Sequence, residues 1–336
     1  MGTLSALGEA INSGVLPNLA SLTIWHTPCE YYGDLDPADL NSLLLQMCTA
    51  ADTKLRSLCL GEVYLSTESD RHIAAAVKNQ SGALSRLEEL SLHNLDCPAV
   101  LEALGQGAPC AQTLQCLRVT GDWIPWAGIR HVLERLRKGS FPRLKTLVLR
   151  SDSGAFLPSV LEQLGDALHE LAGKGTPSVL EELQRKAPRM PIAYLVKELT
   201  GLFKAGALPC LRSLEFGARR AAADGPDDRL GDGAAFVAEW TALGGRIGIE
   251  QLRLDASGLS PAFEANLLGA LEDPAFCPRL RVASLYETPS GSGLAATRAA
   301  LEERRRRWEA RARGVEGVGG PEALGASEAR VAALER

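Results

Sequence analysis

The stretch Leu87-Glu-Glu-Leu90-Ser-Leu92 decides the fold, because its pattern Leu-x-x-Leu-x-Leu recurs along the chain. We call each copy a phrase and number its positions from the first residue. Seven other phrases begin at residues 19, 55, 114, 144, 211, 249 and 280, with Ile, Val, Phe or Ala replacing some leucines. Self-similarity at a period of about 20 to 50 residues is typical of solenoids, in which each repeat packs on its neighbours.

The spacing of the phrases indicates a hidden ninth copy. Successive phrases start 36, 32, 27, 30, 67, 38 and 31 residues apart, and the step of 67 is about twice the others. Leu180-Glu-Glu-Leu183-Gln-Arg185 divides that step into 36 and 31, although Arg185 replaces the last apolar residue. The alternative is that 176–187 forms plain helix, since Glu, Leu, Gln and Lys favour helix. The spacing favours a degenerate ninth repeat.

Within a phrase, apolar and polar residues alternate with period two, which predicts a short strand. In the first phrase Leu22 and Ile24 then lie on one face, and Ser21, Thr23 and Trp25 lie on the other. Helix-like stretches separate the phrases, at 38–50, 70–78, 128–138, 157–172, 192–204 and 234–243. Strands joined by helical crossovers run parallel, so we predict an α/β fold with a parallel sheet.

Helix endings also repeat along the chain. Gly14-Val-Leu-Pro17, Gly139-Ser-Phe-Pro142, Gly175-Thr-Pro177 and Gly206-Ala-Leu-Pro209 each precede a phrase by a few residues. Glycine adopts the left-handed conformation that closes a helix, and the proline after it cannot continue one. We therefore expect a helix to stop at each of these glycines.

Over residues 3–290 or so, the phrases resemble leucine-rich-repeat proteins, and the long helix-bearing units resemble the ribonuclease-inhibitor-like subclass. The resemblance implies a solenoid shaped as a horseshoe, with a parallel β-sheet on the concave side and α-helices on the convex side. The family pattern asks for Asn or Cys at the ninth position of the phrase. This chain has Thr27, Val63, Leu95, Asp122, Asp152, Pro188, Arg219, Ser257 and Thr288 there. That departure and the unequal steps predict an irregular horseshoe of about nine repeats.

The repeats stop near residue 290, and residues 291–336 form a charged C-terminal segment with a predicted helix over 294–313. Its run Arg304–Arg307 is open to two interpretations, a polyanion contact or nuclear address, and a solvated helix face. The second is favoured, because Glu302 and Glu303 precede Arg306 and Arg307 by four residues, the favourable order for helix ion pairs.

One face of this C-terminal helix is apolar. Leu294, Leu301 and Trp308 recur every seven residues. This face could pair with a partner helix, but docking on the last repeat as a cap is the favoured interpretation.

At the N-terminal end of the repeats, either residues 1–16 form a minimal cap or the chain belongs to something longer.

Composition limits the class of protein. The 336 residues are 46% apolar, with a net charge of −5 and a pI near 5.7, which gives no reason to expect nucleic acid as a partner. Eight cysteines are scattered without a CxxC pair, and no secretory signal begins the chain, which favours a reducing, cytoplasmic location. The sequence has no run of 18 or more apolar residues, so it predicts no membrane span.

The sequence contains fragments of known catalytic motifs, but each fragment lacks a residue that the motif requires. A phosphate-loop pattern ending at Gly173-Lys174-Gly175 has Leu168 where a glycine is required, and Gly175 where Ser or Thr must reach magnesium. A zinc-protease pattern begins at His169-Glu170 but has Gly173 in place of the second histidine. The five histidines form no metal spacing with the cysteines. We therefore expect no enzyme, no cofactor and no metal.

The candidate site is the face of the sheet that carries the third, fifth and seventh positions. Trp, Tyr and Arg are the residue types that most often anchor protein interfaces. The large or charged side chains expected on this face are Trp25, His93, Arg118, Arg150, Glu215, Arg253, Asp255 and Tyr286. Trp123 and Trp126 follow the fourth strand, either as an exposed contact or as a cover for their loop, and the usual burial of Trp favours the latter.

These observations favour a non-catalytic scaffold that binds a partner protein through the concave strand surface. The resemblance also admits a second function, regulation of a small GTPase, because some members of the subclass resemble such regulators. A third possibility is a structural repeat module within a larger cytoskeletal or ciliary assembly. The sequence does not identify the partner.

Overall fold

The chain forms one parallel sheet whose strands alternate with helices. The structure, a computed structural model, describes residues 3–25, 37–50, 55–63, 66–80, 82–95, 97–121, 126–151, 158–176, 178–186, 192–217, 233–255, 261–273, 275–286 and 293–316. The sheet has nine strands in the order in which they occur along the chain, and every neighbouring pair is parallel. This confirms the predicted α/β class and is compatible with a solenoid of repeats.

Each phrase supplies one strand. The strands are β1 (Ser21–Trp25), β2 (Ser57–Gly61), β3 (Glu89–His93), β4 (Cys116–Gly121), β5 (Thr146–Ser151), β6 (Glu182–Lys186), β7 (Ser213–Gly217), β8 (Gln251–Asp255) and β9 (Val282–Tyr286). The degenerate phrase is β6, with Leu183 paired to Leu147 on one side and to Leu214 on the other. The spacing argument is thereby confirmed over the helix alternative for this segment.

Helices connect the strands. They are α1 (Thr3–Asn12), α2 (Pro37–Thr49), α3 (Thr67–Lys78), α4 (Pro98–Gly105), α5 (Trp126–Arg137), α6 (Pro158–Gly173), α7 (Ile192–Lys204), α8 (Ala234–Leu243), α9 (Pro261–Glu272) and α10 (Gly293–Glu316). Each of these helices contacts the next, so they form a second layer beside the sheet. Trp126 begins α5 and packs partly buried against the core, while Trp123 lies outside the described residues.

The core lies between the sheet and the helices. The fourth positions Leu58, Leu90 and Leu147 are almost fully buried, as the period-two pattern predicts. From the helix side, α5 contributes the predicted apolar stripe, with Ile129 and Leu133 buried. Burying a leucine or isoleucine side chain contributes about 1.5–3 kcal/mol, so the phrases carry much of the stability of each repeat.

Backbone hydrogen bonds fix the register at the amino ends of the strands. The carbonyl oxygen of Arg56 accepts from the N–H groups of Glu88 and Glu89, at 2.7 and 2.8 Å. The same forked arrangement joins each described strand to the next, because the carbonyl at the second position of one phrase accepts from the second and third positions of the following phrase. The second positions are therefore aligned across the whole sheet.

The predicted glycine stops are confirmed as helix ends. Gly14, Gly139, Gly175 and Gly206 have φ angles of 71°, 74°, 70° and 67°, the left-handed region that favours glycine. After α5, Gly139 donates to Leu136 O at 2.8 Å and Ser140 donates to Arg135 O at 3.0 Å. This hydrogen-bond pair is the Schellman motif, which satisfies the last carbonyl groups of a helix.

The C-terminal helix α10 packs on α9 and β9, and Arg304 is buried between them. Its guanidinium donates to the carbonyl oxygens of Asp273 and Phe276 at 2.8 Å each and of Cys277 at 2.7 Å. The prediction of a solvated face holds for Arg305, Arg306 and Arg307, which are exposed, and is wrong for Arg304. The carbonyl groups of the segment between α9 and β9 hold this cation in place of solvent.

Candidate interaction surface

The side chains at the third, fifth and seventh positions form a face opposite the core, which we call the open face. Because all strands are in register, these positions form three rows across the sheet. The seventh-position row runs Trp25, Gly61, His93, Thr120 and Arg150 from β1 to β5. The fifth-position row places Arg118 between Ser91 and Val148. Side chains far apart in sequence therefore become neighbours on one surface.

Trp25 and His93 meet on the open face across the intervening strand β2. Gly61 lies between them in the row, and because it has no side chain the indole of Trp25 covers its backbone. The two rings then approach with centroids 4.9 Å apart at a tilt of 49°. Trp25 remains 51% exposed, so a large apolar surface faces solvent beside the imidazole.

A hydrogen bond extends this cluster to β4. His93 Nδ1 and Thr120 Oγ1 lie 2.6 Å apart, which orients the imidazole ring. Burial lowers the pKa of His93, the positive charge of Arg118 lowers it further, and Glu62 acts in the opposite direction. His93 is therefore neutral at physiological pH and acts as a polar, partly apolar ring beside Trp25.

Arg118 occupies the middle of the open face, and the described residues provide no counter-ion for it. It is partly buried, and its flanking neighbours in the row, Ser91 and Val148, have buried side chains. In the described part of the chain its guanidinium makes no hydrogen bond and no ion pair. Its positive charge acts on two neighbouring thiols. Burial raises the pKa of Cys59 and of Cys116, and the charge of Arg118 opposes that rise.

The other predicted site residues are divided between the two halves of the sheet. Arg150 is exposed on β5, two residues along from Val148. On the C-terminal half, Arg253 Nη1 lies 3.6 Å from Glu215 Oε2, so these two form an ion pair on neighbouring strands. Asp255 and Tyr286 end β8 and β9 at paired positions, and their side chains lie outside the described residues.

Carboxylates in the third-position row are held by hydrogen bonds within the sheet. Ser57 Oγ donates to Glu89 Oε2 at 3.0 Å. Thr146 Oγ1 donates to Glu182 Oε2 at 3.3 Å, and Gln184 also donates to that carboxylate. Each of these anions is therefore partly satisfied by hydroxyl or amide donors of the chain itself.

One row of charged side chains was missed by the sequence reasoning. The second positions of the phrases alternate in sign along most of the sheet: Arg56, Glu88, Gln115, Lys145, Glu181, Arg212, Glu250 and Arg281. Arg56 pairs with Glu88 at 3.1 Å and Lys145 pairs with Glu181 at 3.0 Å. Aligning the phrases on their first residue reveals this alternation, which favours the observed register over shifted ones.

The carboxyl ends of β2 to β4 carry a second overlooked feature. Glu62, Asn94 and Gly121 occupy the eighth position of their phrases, and all three have a positive φ. Glu62 N–H donates to His93 O, and Asn94 N–H donates to Thr120 O, which continues the ladder past the strands. A side chain at Gly121 would stand 2.7 Å from the Asn94 Cα, so only glycine fits.

Two of the ninth positions hold buried apolar residues in place of the Asn or Cys of the leucine-rich-repeat pattern. Val63 and Leu95 are buried, so in these repeats the position adds to the core. The five ninth positions with potential side-chain acceptors lie outside the described residues, namely Thr27, Asp122, Asp152, Ser257 and Thr288.

The described residues contain no candidate metal cluster and no candidate membrane-spanning helix. Across the described ranges, no group of three or more His, Cys, Asp or Glu side chains is placed to hold a metal ion. The helices described here include none with the length and apolar character that a bilayer crossing requires. His131 and His169 are exposed on helices, and His26 lies outside the described residues.

No protein-family model matches the chain, and no curated protein matches it. The leucine-rich-repeat resemblance therefore stays a proposal that rests on the phrases.

Proposed function

We propose that this chain is a leucine-rich-repeat solenoid, similar to the ribonuclease-inhibitor-like subclass, that binds a partner protein through its open face without catalysis. In this proposal the open face is the concave side of a horseshoe and the helices form the convex side. Nine in-register parallel strands with a helix between each pair support it. The free thiols of the six cysteines whose side chains are described support the cytoplasmic location that the sequence favours.

A single observation carries the functional proposal: Trp25 is 51% exposed on the open face, although tryptophan is usually largely buried. The glycine beneath it and the histidine beside it hold its ring against the sheet. A held aromatic ring loses little side-chain entropy when a partner covers it, which makes it an efficient anchor. Arg118, in the fifth-position row on β4, offers a charged group on the same face.

Site-specific photo-cross-linking tests the proposal. A photoreactive phenylalanine replaces Thr23 on the open face in one variant, and replaces Arg130 on α5 in the matched control. Both residues are exposed, and Arg130 lies on the helix side. We expect the Thr23 variant alone to cross-link a defined protein in cells, and mass spectrometry then identifies it.

The identified protein must then bind the purified chain directly. Trp25→Ala is expected to weaken that binding at least 30-fold, since interface anchors contribute about 2 kcal/mol or more. Cross-linking from Arg130 but not from Thr23, or full affinity in the Trp25 variant, would show that the open face is not the binding surface.

A further inference from the structure

The open face carries a charge, on Arg118, that the described residues leave uncompensated. Among the described open-face side chains, Glu89 and Glu182 accept hydrogen bonds, and Arg253 pairs with Glu215. Arg118 has neither kind of partner in the described residues, although it is partly buried. The molecule is acidic overall, with a net charge of −5, so a lone cation at this central position is not an effect of excess basic residues.

Such a cation lacks part of the interaction that would stabilise its charge. Partial burial removes some of its hydration, and no carboxylate of the described chain replaces the lost water. A guanidinium accepts a carboxylate through two parallel hydrogen bonds, and that geometry gives both affinity and orientation. A partner that brings an anion to Arg118 therefore gains more than it would at an exposed arginine.

The surroundings of Arg118 indicate the side from which an anion approaches. Towards the amino ends of the strands, Glu89 lies diagonal to Arg118 across β3 and β4 and would repel a carboxylate. Towards the carboxyl ends, the seventh-position row offers His93, Thr120 and Arg150. Glu62, just past β2, is an acidic residue on that side, and its carboxylate accepts from Asn94 Nδ2. The anion therefore fits between Arg118 and the row that also contains Trp25.

We propose that the partner presents an acidic extended segment, in which an Asp or Glu side chain pairs with Arg118 while an apolar side chain packs on Trp25. This proposal rests on the open-face function proposed above. The ring of Trp25 lies over β2, two strands from Arg118, and the two positions are offset by two residues along the strands, so the anchors are about 12 Å apart. An extended chain covers that distance in roughly three or four residues, which sets the separation of the two side chains in the partner.

Peptide selection tests this proposal with a defined probe, a library of random dodecapeptides displayed on phage and selected against the full chain. We expect the selected peptides to share an Asp or Glu about three or four residues from an aromatic or large apolar residue. A synthetic consensus peptide is then compared with its Asp→Asn or Glu→Gln version and with a scrambled peptide of equal charge.

A double-mutant cycle reads out the contact itself. Arg118→Gln keeps a long polar side chain and is expected to weaken the consensus peptide on the order of 10- to 100-fold, the range for hydrogen bonds to charged groups. The neutral peptide should already be weak and should not respond to Arg118→Gln. The matched control Arg130→Gln, exposed on α5, should leave both affinities unchanged.

Several results would overturn the acidic-segment proposal. These are selection of no peptide, selection without acidic enrichment, equal binding of the scrambled peptide, or an affinity that Arg118→Gln does not change. A phosphoserine peptide that binds far more tightly than the Asp version would assign the site to phosphate instead. If Trp25→Ala weakens the selected peptides and Arg118→Gln does not, the open-face function stands and this inference fails. If neither variant has an effect, both fail.

Discussion

The six-membered ring of Trp25 lies directly over the backbone of Gly61, so that a Cβ at Gly61 would stand only 2.3 Å from the Trp25 Cε3 atom. A glycine on β2 thus sets the position of a tryptophan on β1. No side chain intervenes, so the ring of Trp25 can reach that of His93 on β3, and this arrangement forms the aromatic part of the open face.

Gly61→Ala is predicted to impair binding while leaving the fold intact. The backbone φ of Gly61 is not in the left-handed region, so alanine fits the strand, but its methyl group must displace the indole of Trp25. We expect the affinity for the cross-linked partner to fall on the order of 10-fold, because a large part of an anchor is lost. Calorimetric titration measures this change, and circular dichroism checks the fold.

The matched control is Gly269→Ala, on an exposed position of α9 where an added Cβ meets nothing within 4 Å. It should stabilise the helix by up to about 1 kcal/mol and leave binding unchanged. Equal affinities for Gly61→Ala and the wild type would mean that the position of Trp25 does not matter to the partner.

Arg304→Met is predicted to loosen the C-terminal end of the sheet. The substitution removes the donors to Asp273, Phe276 and Cys277 and leaves their carbonyl groups without this partner, at a cost of about 2–4 kcal/mol. Hydrogen exchange should accelerate in α9, β9 and α10 before it does elsewhere, because repeats are stabilised by their neighbours.

Arg305→Met provides the control, since Arg305 is exposed one residue further along α10. Surface changes of this kind usually alter stability by less than about 0.5 kcal/mol. Equal protection of α9 and α10 in the two variants would contradict the role assigned to Arg304.

The cysteines are predicted to differ in reactivity. Burial raises the pKa of Cys110 and of Cys277 to about 12 and that of Cys116 to about 11, so these thiols stay protonated at neutral pH. Cys210 is exposed. With Cys29 and Cys48 replaced by serine, we expect a maleimide to label Cys210 first and the buried thiols only after unfolding, as read by mass spectrometry.

Early labelling of Cys110 or Cys277 in the folded chain would show that their repeats open more readily than their burial indicates. Denaturant provides the positive control, because all thiols should then react.

His93 is predicted to make the fold sensitive to mild acid. Its pKa in the folded chain is lowered by burial and by Arg118, whereas the unfolded chain has an ordinary value of about 6.5. The unfolded state therefore binds more protons, and stability that is fully present above about pH 6.5 is lost as the pH falls through that value.

His93→Asn removes this contribution and keeps a polar atom near Thr120. The midpoint of urea unfolding should fall less in this variant than in the wild type when the pH is lowered from about 8 to about 5. His131→Asn, at an exposed position on α5, is the control and should behave as the wild type does. An identical acid response in wild type and His93→Asn would exclude His93 as the source.

Much of the fold was predictable because short-range sequence patterns determine its strands and helix ends. Alternation at period two marked the strands, and the left-handed glycines marked the helix ends at Gly139 and Gly206. Spacing even identified β6, whose last apolar position holds Arg185. These signals need no knowledge of which residues meet in space.

The details of the candidate site were less accessible, because they depend on contacts between repeats. The cover of Trp25 over Gly61 follows from a register between phrases that are 36 residues apart. The burial of Arg304 depends on where α10 packs, and the helical charge pattern alone placed it in solvent. The lack of a partner for Arg118 among the described residues becomes visible only when the neighbours on β3 and β5 are known.

Calorimetric titration of the cross-linked partner against two double variants tests the central claim most directly. One variant combines Trp25→Ala with Arg118→Gln on the open face, and the other combines Arg71→Ala with Arg130→Ala on exposed helix positions. We predict that the open-face variant loses on the order of 100-fold or more in affinity and that the helix variant stays close to the wild type. Loss of affinity in the helix variant, with wild-type binding by the open-face variant, would contradict the account.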